Sequence, residues 1–188
     1  ILGIVLSNQH RKRILMKSGL KVVTGALWGD EGKGLQVDAY SDENTLVVRT
    51  GSGGQCSHTV VQPAPDNRRH VFKHQGAGGL RKAATYLHRT VVIHPTIFRE
   101  EDRELAAMGV QAEIMIHPGA LVTTPYDMML NQMIERSRTG RHGSCGFGFN
   151  ETKQRSLDTK YRKTIGNLIE ITDHELREWL ELIRTEYI

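Results

Sequence analysis

The chain has 188 residues, 38% hydrophobic and 24% charged, which suits one domain with a substantial core and, with no long apolar run, excludes a helical membrane span. A net charge of +4 with Lys and Arg scattered suits anionic small ligands, and no dense basic block points to nucleic acid as partner. Two cysteines, Cys56 and Cys145, give no disulfide framework and fit a reducing, cytoplasmic compartment.

The opening ILGIVLSNQHRKRIL places its apolar part before its basic part, the reverse of a secretory signal, and no small-residue cleavage site follows. Residues 1–15 are therefore expected to be a non-native upstream segment, with Met16 as the start. Val22, Val23 and Thr24 then begin a β-branched run of the kind that fills a buried parallel strand. Gly25, Gly29, Gly32 and Gly34 crowd into the turn that follows, with Asp30, Glu31 and Lys33 among them, and Leu35 to Tyr40 suits a helix. In a strand, glycine-rich turn and helix, backbone N–H groups and a helix N-terminus collect phosphate charge, and Lys33 adds a point charge.

The regular phosphate loop needs Gly, four residues, then Gly-Lys-Ser/Thr. Leu27 occupies the first glycine position and Gly34 the hydroxyl position, so the residue that usually holds magnesium is missing, while Asp30 is an extra acid. An acid in such a turn repels phosphate unless it binds a metal or handles a proton. By pattern alone, a phosphate site and a plain tight turn both remain open.

Further along, Thr45 to Arg49 reads as a strand running into the glycine-rich Thr50 to Gly54. His70 to His74 reads as a strand or edge, and Gln75 to Gly79 as a third loop. His70 and His74 have helical spacing but no acidic or cysteine partners at ligand spacing, so zinc is not expected. Val91 to Ile93 is a short buried strand ended by Pro95, and Phe98 to Met108 a helix stopped by Gly109. Ala112 to His117 suits a strand.

Thr124-Pro125-Tyr126-Asp127 opens a helix to about Arg138, with Met128, Leu130, Met133 and Ile134 as its apolar contacts. Gly140 to Asn150 is a fourth glycine-rich loop. Thr172 to Glu175 is a capping box before a stripe of Leu176, Trp179, Leu180 and Ile183, read as core packing rather than a partner site. Alternating strands and helices give an α/β fold with a mainly parallel sheet flanked by helices. Glycine-rich loops after strands make it a nucleotide-binding one.

Three segments together resemble adenylosuccinate synthetase. Trp28 to Gly34, WGDEGKG, is identical to that family's signature loop. Gly54 to Val61, GQCSHTVV, resembles its second motif, usually Asn-Ala-Gly-His-Thr, and Gly143 to Gly148, GSCGFG, resembles its Gly-Thr-Thr-Gly-Arg-Gly loop. The resemblance covers about residues 20–165. It implies a P-loop-NTPase-like nucleotide-binding fold, incomplete relative to the family, with residues 16–188 as the N-terminal part of a GTP/purine-nucleotide-binding α/β domain.

The implied reaction is the GTP-dependent condensation of IMP with L-aspartate to adenylosuccinate, through a 6-phosphoryl-IMP intermediate. Asp30 would be the base that takes the N1 proton of the purine. His58 would be the general acid and electrostatic stabiliser of the transferring phosphoryl group. Magnesium (Mg2+) would be held by the Asp30 carboxylate and the Ser57 carbonyl, which accounts for the missing loop hydroxyl.

The GTP contacts implied are Gly29, Asp30, Glu31, Gly32, Lys33, Gly34, Leu35, Ser57, His58 and Thr59. The purine monophosphate would meet Asp30, Lys33, Gln55, Cys56, Ser57, His58 and Cys145, with Arg155 reaching the phosphate of a neighbouring subunit in a homodimer. Structural alternatives stand beside these: Asp30 as a helix-start acid, His58 as a core histidine, and Cys145 as loop packing.

Gln55, Ser57, Cys145 and Phe147 depart from the family pattern on the monophosphate side. A viral branch that makes 2-aminoadenylosuccinate from dGMP resembles this divergence, but it usually replaces the base at the Asp30 position, so retention of Asp30 favours IMP. Family members are more than twice as long, and their guanine-recognising and aspartate-binding segments lie beyond the matched region. The expectation is an N-terminal fragment or incomplete product that cannot complete the reaction alone. A non-catalytic nucleotide-binding remnant and an ordinary nucleoside triphosphatase are the alternatives.

Overall fold

A computed structural model of the protein describes residues 19–26, 28–140 and 143–188. The expected upstream segment 1–15 and the start at Met16 lie outside the described residues.

Helix α1, Lys33–Tyr40, begins at Gly32, whose left-handed φ of 73° suits a residue without Cβ. It ends at Ser41, whose Oγ donates to the Val37 carbonyl at 2.7 Å. Its inner face carries Gly34 and a buried Asp38, whose charge is met by Arg81 at 2.9 Å. Strands β1 (Leu46–Arg49), β4 (Ala84–Leu87) and β6 (Ile114–Ile116) form a parallel sheet in the order β1-β4-β6. Strands β2 (His58–Val61) and β3 (Arg69–Phe72) form an antiparallel pair with His58 opposite Phe72. Strands β5 (Val92–Ile93) and β7 (Leu121–Val122) pair in parallel.

The helices are α2 (Pro95–Ala107), α3 (Pro125–Ser137), α4 (Phe149–Arg155), α5 (Ile165–Glu170) and α6 (Asp173–Leu182), which runs into a π turn at Ile183–Tyr187. One apolar cluster gathers Val60, Phe72, Ala77, Leu80, Leu105 and Val110, joining the β2–β3 pair to α2. A second gathers Leu87, Val91, Ile93 and Ala120 between the two parallel sheets. The α/β class and the mainly parallel pairing agree with the sequence reading.

Several elements differ from expectation. Residues 19–26 form no strand, and Val22 is 78% exposed. A β-branched run becomes a strand only when a neighbour supplies hydrogen bonds, and among the described residues β1 pairs only with β4. The short buried strand is found at Val92–Ile93, and Pro95, beyond its end, also opens α2 behind His94, whose Nδ1 accepts the Ile97 N–H.

On α3 only Asp127 is buried, and Met133 is 59% exposed rather than an apolar contact. The short helices α4 and α5 went unread because α4 opens behind Gly148 rather than a hydroxyl or amide cap, and α5 carries Asn167 rather than an acid at N3. The final stripe packs as expected, with Trp179 and Ile183 buried.

Candidate nucleotide-phosphate site

The signature loop turns through left-handed backbone at Gly29 (φ 77°), Asp30 (φ 48°) and Gly32 (φ 73°). Three such residues so close together fold the chain back onto the start of α1 and leave Asp30 exposed. The Asp30 carboxylate has no hydrogen-bond partner among the described residues. Glu31 turns inward: Oε1 accepts the N–H of Ala26 at 2.6 Å and of Trp28 at 3.3 Å, and Oε2 pairs with Lys33 Nζ at 2.8 Å. The Lys33 hydrogen bond, opposed in part by burial and helped by the two amides, holds the Glu31 carboxyl below its ordinary range.

Gly34 brings the loop against the second motif. A Cβ added there would lie 2.5 Å from His58 Cβ, so only glycine lets the first turn of α1 rest on β2. His58 is half-buried, and its imidazole is held below its ordinary pKa by burial, then by the Arg49 and Lys33 charges. The imidazole is therefore neutral at neutral pH. Ser57 and Thr59 flank it and are exposed, as is Leu35 on α1.

Arg49 was not singled out from the sequence. Its guanidinium donates to the carbonyls of Lys73 and Gln75 and, at 3.0 Å, to that of Cys56. Glu101, fully buried on α2, accepts the N–H groups of Lys73 at 2.7 Å and His74 at 2.6 Å, and that of Gln75 at 3.2 Å. Burial raises the Glu101 pKa, but His70 and these three amides outweigh it and leave the carboxyl below its ordinary range. One signal was available: Ile97, Glu101 and Leu105 share the buried face of α2 at i,i+4 spacing, with a charge in the middle.

Gln55 and the fourth glycine loop meet at Gly53, where an added Cβ would lie 3.0 Å from Gln55 Oε1 and 3.2 Å from Phe149 Cδ2. Gln55 Oε1 is buried with no hydrogen-bond partner among the described residues. Cys56 and Cys145 are both exposed. Ser144 Oγ donates to Asn131 Oδ1 at 2.8 Å, tying the loop to α3.

Arg155 departs from expectation. It is fully buried and pairs with both oxygens of Asp127, at 2.8 and 2.9 Å, while donating to the carbonyls of Val122 and Tyr161. A guanidinium so enclosed does not reach outward to a neighbour's phosphate; it locks α4 to α3 and β7.

Among the described residues, no group of three or more His, Cys, Asp or Glu could hold a metal alone. A lone exposed carboxylate at Asp30 and an exposed Ser57 are nonetheless of the kind that suits magnesium, which takes one or two protein oxygens and completes its shell with phosphates and water. No helix among the described residues is long and apolar enough to cross a membrane.

A glycine loop opening a helix beside a histidine-bearing strand, in a mainly parallel α/β fold, defines a nucleotide-phosphate-binding class of protein. The adenylosuccinate synthetase family profile matches residues 22–186, and the chain belongs to that family. An adenylosuccinate synthetase of Phytophthora infestans is 37% identical over 109 residues, covering 57% of this chain and 19% of the relative. That of Stenotrophomonas maltophilia is 37% identical over 131 residues, covering 68% of this chain and 30% of the relative. The fully ligated adenylosuccinate synthetase of Plasmodium falciparum shares the fold, with a TM-score of 0.66 and 20% identity over 87% of this chain and 40% of that one. The chain thus spans a fifth to two fifths of the length of these relatives.

Proposed function

We propose that the chain supplies the phosphate-handling part of a ligase of purine nucleotide biosynthesis, which uses GTP to condense IMP with L-aspartate into adenylosuccinate through 6-phosphoryl-IMP. The contact that carries this reading is Gly34 against His58, because it brings Lys33 and the histidine to the same place. In this reading the N–H groups of Gly29 to Leu35, Lys33 and Thr59 hold the GTP phosphates. Asp30 takes the purine N1 proton, and the His58 N–H hydrogen-bonds the transferring phosphoryl group, whose negative charge favours the protonated ring that acts as general acid.

Gln55, whose carbonyl oxygen has no partner, contacts the monophosphate together with Cys56 and Cys145. Asp30 and the Ser57 carbonyl hold Mg2+, which withdraws charge from the phosphates when bound. A cytoplasmic location and a homodimer belong to the same reading, which rests there on family membership.

The test is isothermal calorimetry of the purified chain with GTP and magnesium, followed by IMP and dGMP in separate runs. Saturable GTP binding that survives Asp30→Asn supports the reading, and tighter binding of IMP than of dGMP selects the substrate. No heat of binding at millimolar GTP overturns it.

A further inference from the structure

We infer that Arg49, seated by Glu101, is a positioning residue that sets the Cys56–His58 turn for nucleotide binding; this rests on the reading of Ser57 and His58 as phosphate contacts. Arg49 ends β1, and its guanidinium divides between two segments. One arm takes the carbonyls of Lys73 and Gln75, and the other takes the Cys56 carbonyl at 3.0 Å.

The 73–75 segment is itself fixed from the opposite side, since the buried Glu101 accepts all three of its amides. The N–H groups go to a carboxylate on α2 and the carbonyls to a guanidinium on β1. The free arm of that guanidinium then defines where Cys56 can lie.

The turn has few other restraints. Cys56 N–H donates to the Gly53 carbonyl at 3.0 Å, and His58 is held by its pairing with Phe72. Ser57 lies between these anchors and is exposed. Arg49 is also close enough to His58 for its charge to act on the imidazole, together with that of Lys33. Planar fork geometry is what the three-carbonyl clamp requires, and lysine, with a single ammonium at the end of a flexible stem, cannot reproduce it.

The experiment compares the unmodified chain with Arg49→Lys and Arg49→Met. The readouts are GTP affinity, thermal unfolding, and the amide resonances of Ser57 and His58. Arg49→Lys is expected to stay folded, to shift those two amides, and to lose roughly tenfold in GTP affinity, the scale of one hydrogen bond to a charged group. A scaffold role alone would lower the melting temperature and leave the affinity of the folded fraction unchanged, and that outcome overturns the inference.

If neither variant folds, the unmodified chain decides. The Arg49 Nη resonances should move with the Ser57 and His58 amides as GTP is added, and Nη resonances that stay fixed overturn the inference. Absence of GTP binding by the unmodified chain is a different failure, and removes the functional reading itself.

Discussion

Two of the molecule's cation–carboxylate pairs are alike in distance and differ in setting. Lys33 and Glu31 sit two residues apart in the signature loop, 2.8 Å apart and partly open to solvent. Arg155 and Asp127 come from α4 and α3, are doubly bonded, and are almost completely buried. Water screens the first pair and can replace either partner, so it costs little to open. The second has no water to fall back on, and losing one member strands the other charge in a poor solvent. A ligand can therefore rearrange the loop without disturbing the scaffold that presents it.

Removing Asp127 is the most severe way to break that contrast. Asp127→Ala should lower stability by about 3–5 kcal/mol in urea unfolding, because it leaves the Arg155 charge uncompensated and also removes the Asp127 half of the capping box on α3. A loss below about 1 kcal/mol would show that Arg155 finds water or another partner.

Acid should weaken the buried side next. Burial, acting against the attraction of Glu101, pushes His74 down to about 4 from 6.5. The folded state thus favours the neutral ring, and the unfolded chain binds the extra proton between those values. Stability from this group is complete above pH 6.5 and is lost as pH falls toward 4, by roughly 3 kcal/mol in all. Unfolding free energies that are flat across this window would contradict the assignment.

The smallest stability effect belongs to the loop pair. Glu31→Gln should change the melting temperature little, since the pair is partly open to solvent and water can replace either partner. It should tighten GTP binding by a factor of a few, because Lys33 and the amides of Ala26 and Trp28 lose a competing anion. Weaker GTP binding in this variant would mean that Glu31 organises the loop rather than competing for its donors.

What the sequence revealed of this contrast was uneven. The boxes at Thr124 and Thr172 were legible because a cap is a local pattern, complete within four residues. The signature loop was legible because its glycines answer to backbone angles that few residues adopt. Arg155 was singled out only through the family resemblance, and its burial depends on Asp127, 28 positions away. Arg49 and Glu101 were missed for the same reason, since their partners are backbone groups of segment 73–75, which have no signature in sequence. The strand expected at Val22 to Thr24 failed because strand propensity is only realised beside a partner.

The sheet has one further consequence, for how the chain behaves in a tube. Among the described residues, strand β1 stands at an edge of the sheet, with Leu46 at 36% and Val48 at 52% exposure. An uncovered apolar edge is a place where identical molecules add to one another. Colloidal stability should therefore depend on concentration, with light scattering rising first in samples where this edge is free. A lysine in place of Val48 should suppress that rise without touching the nucleotide loop.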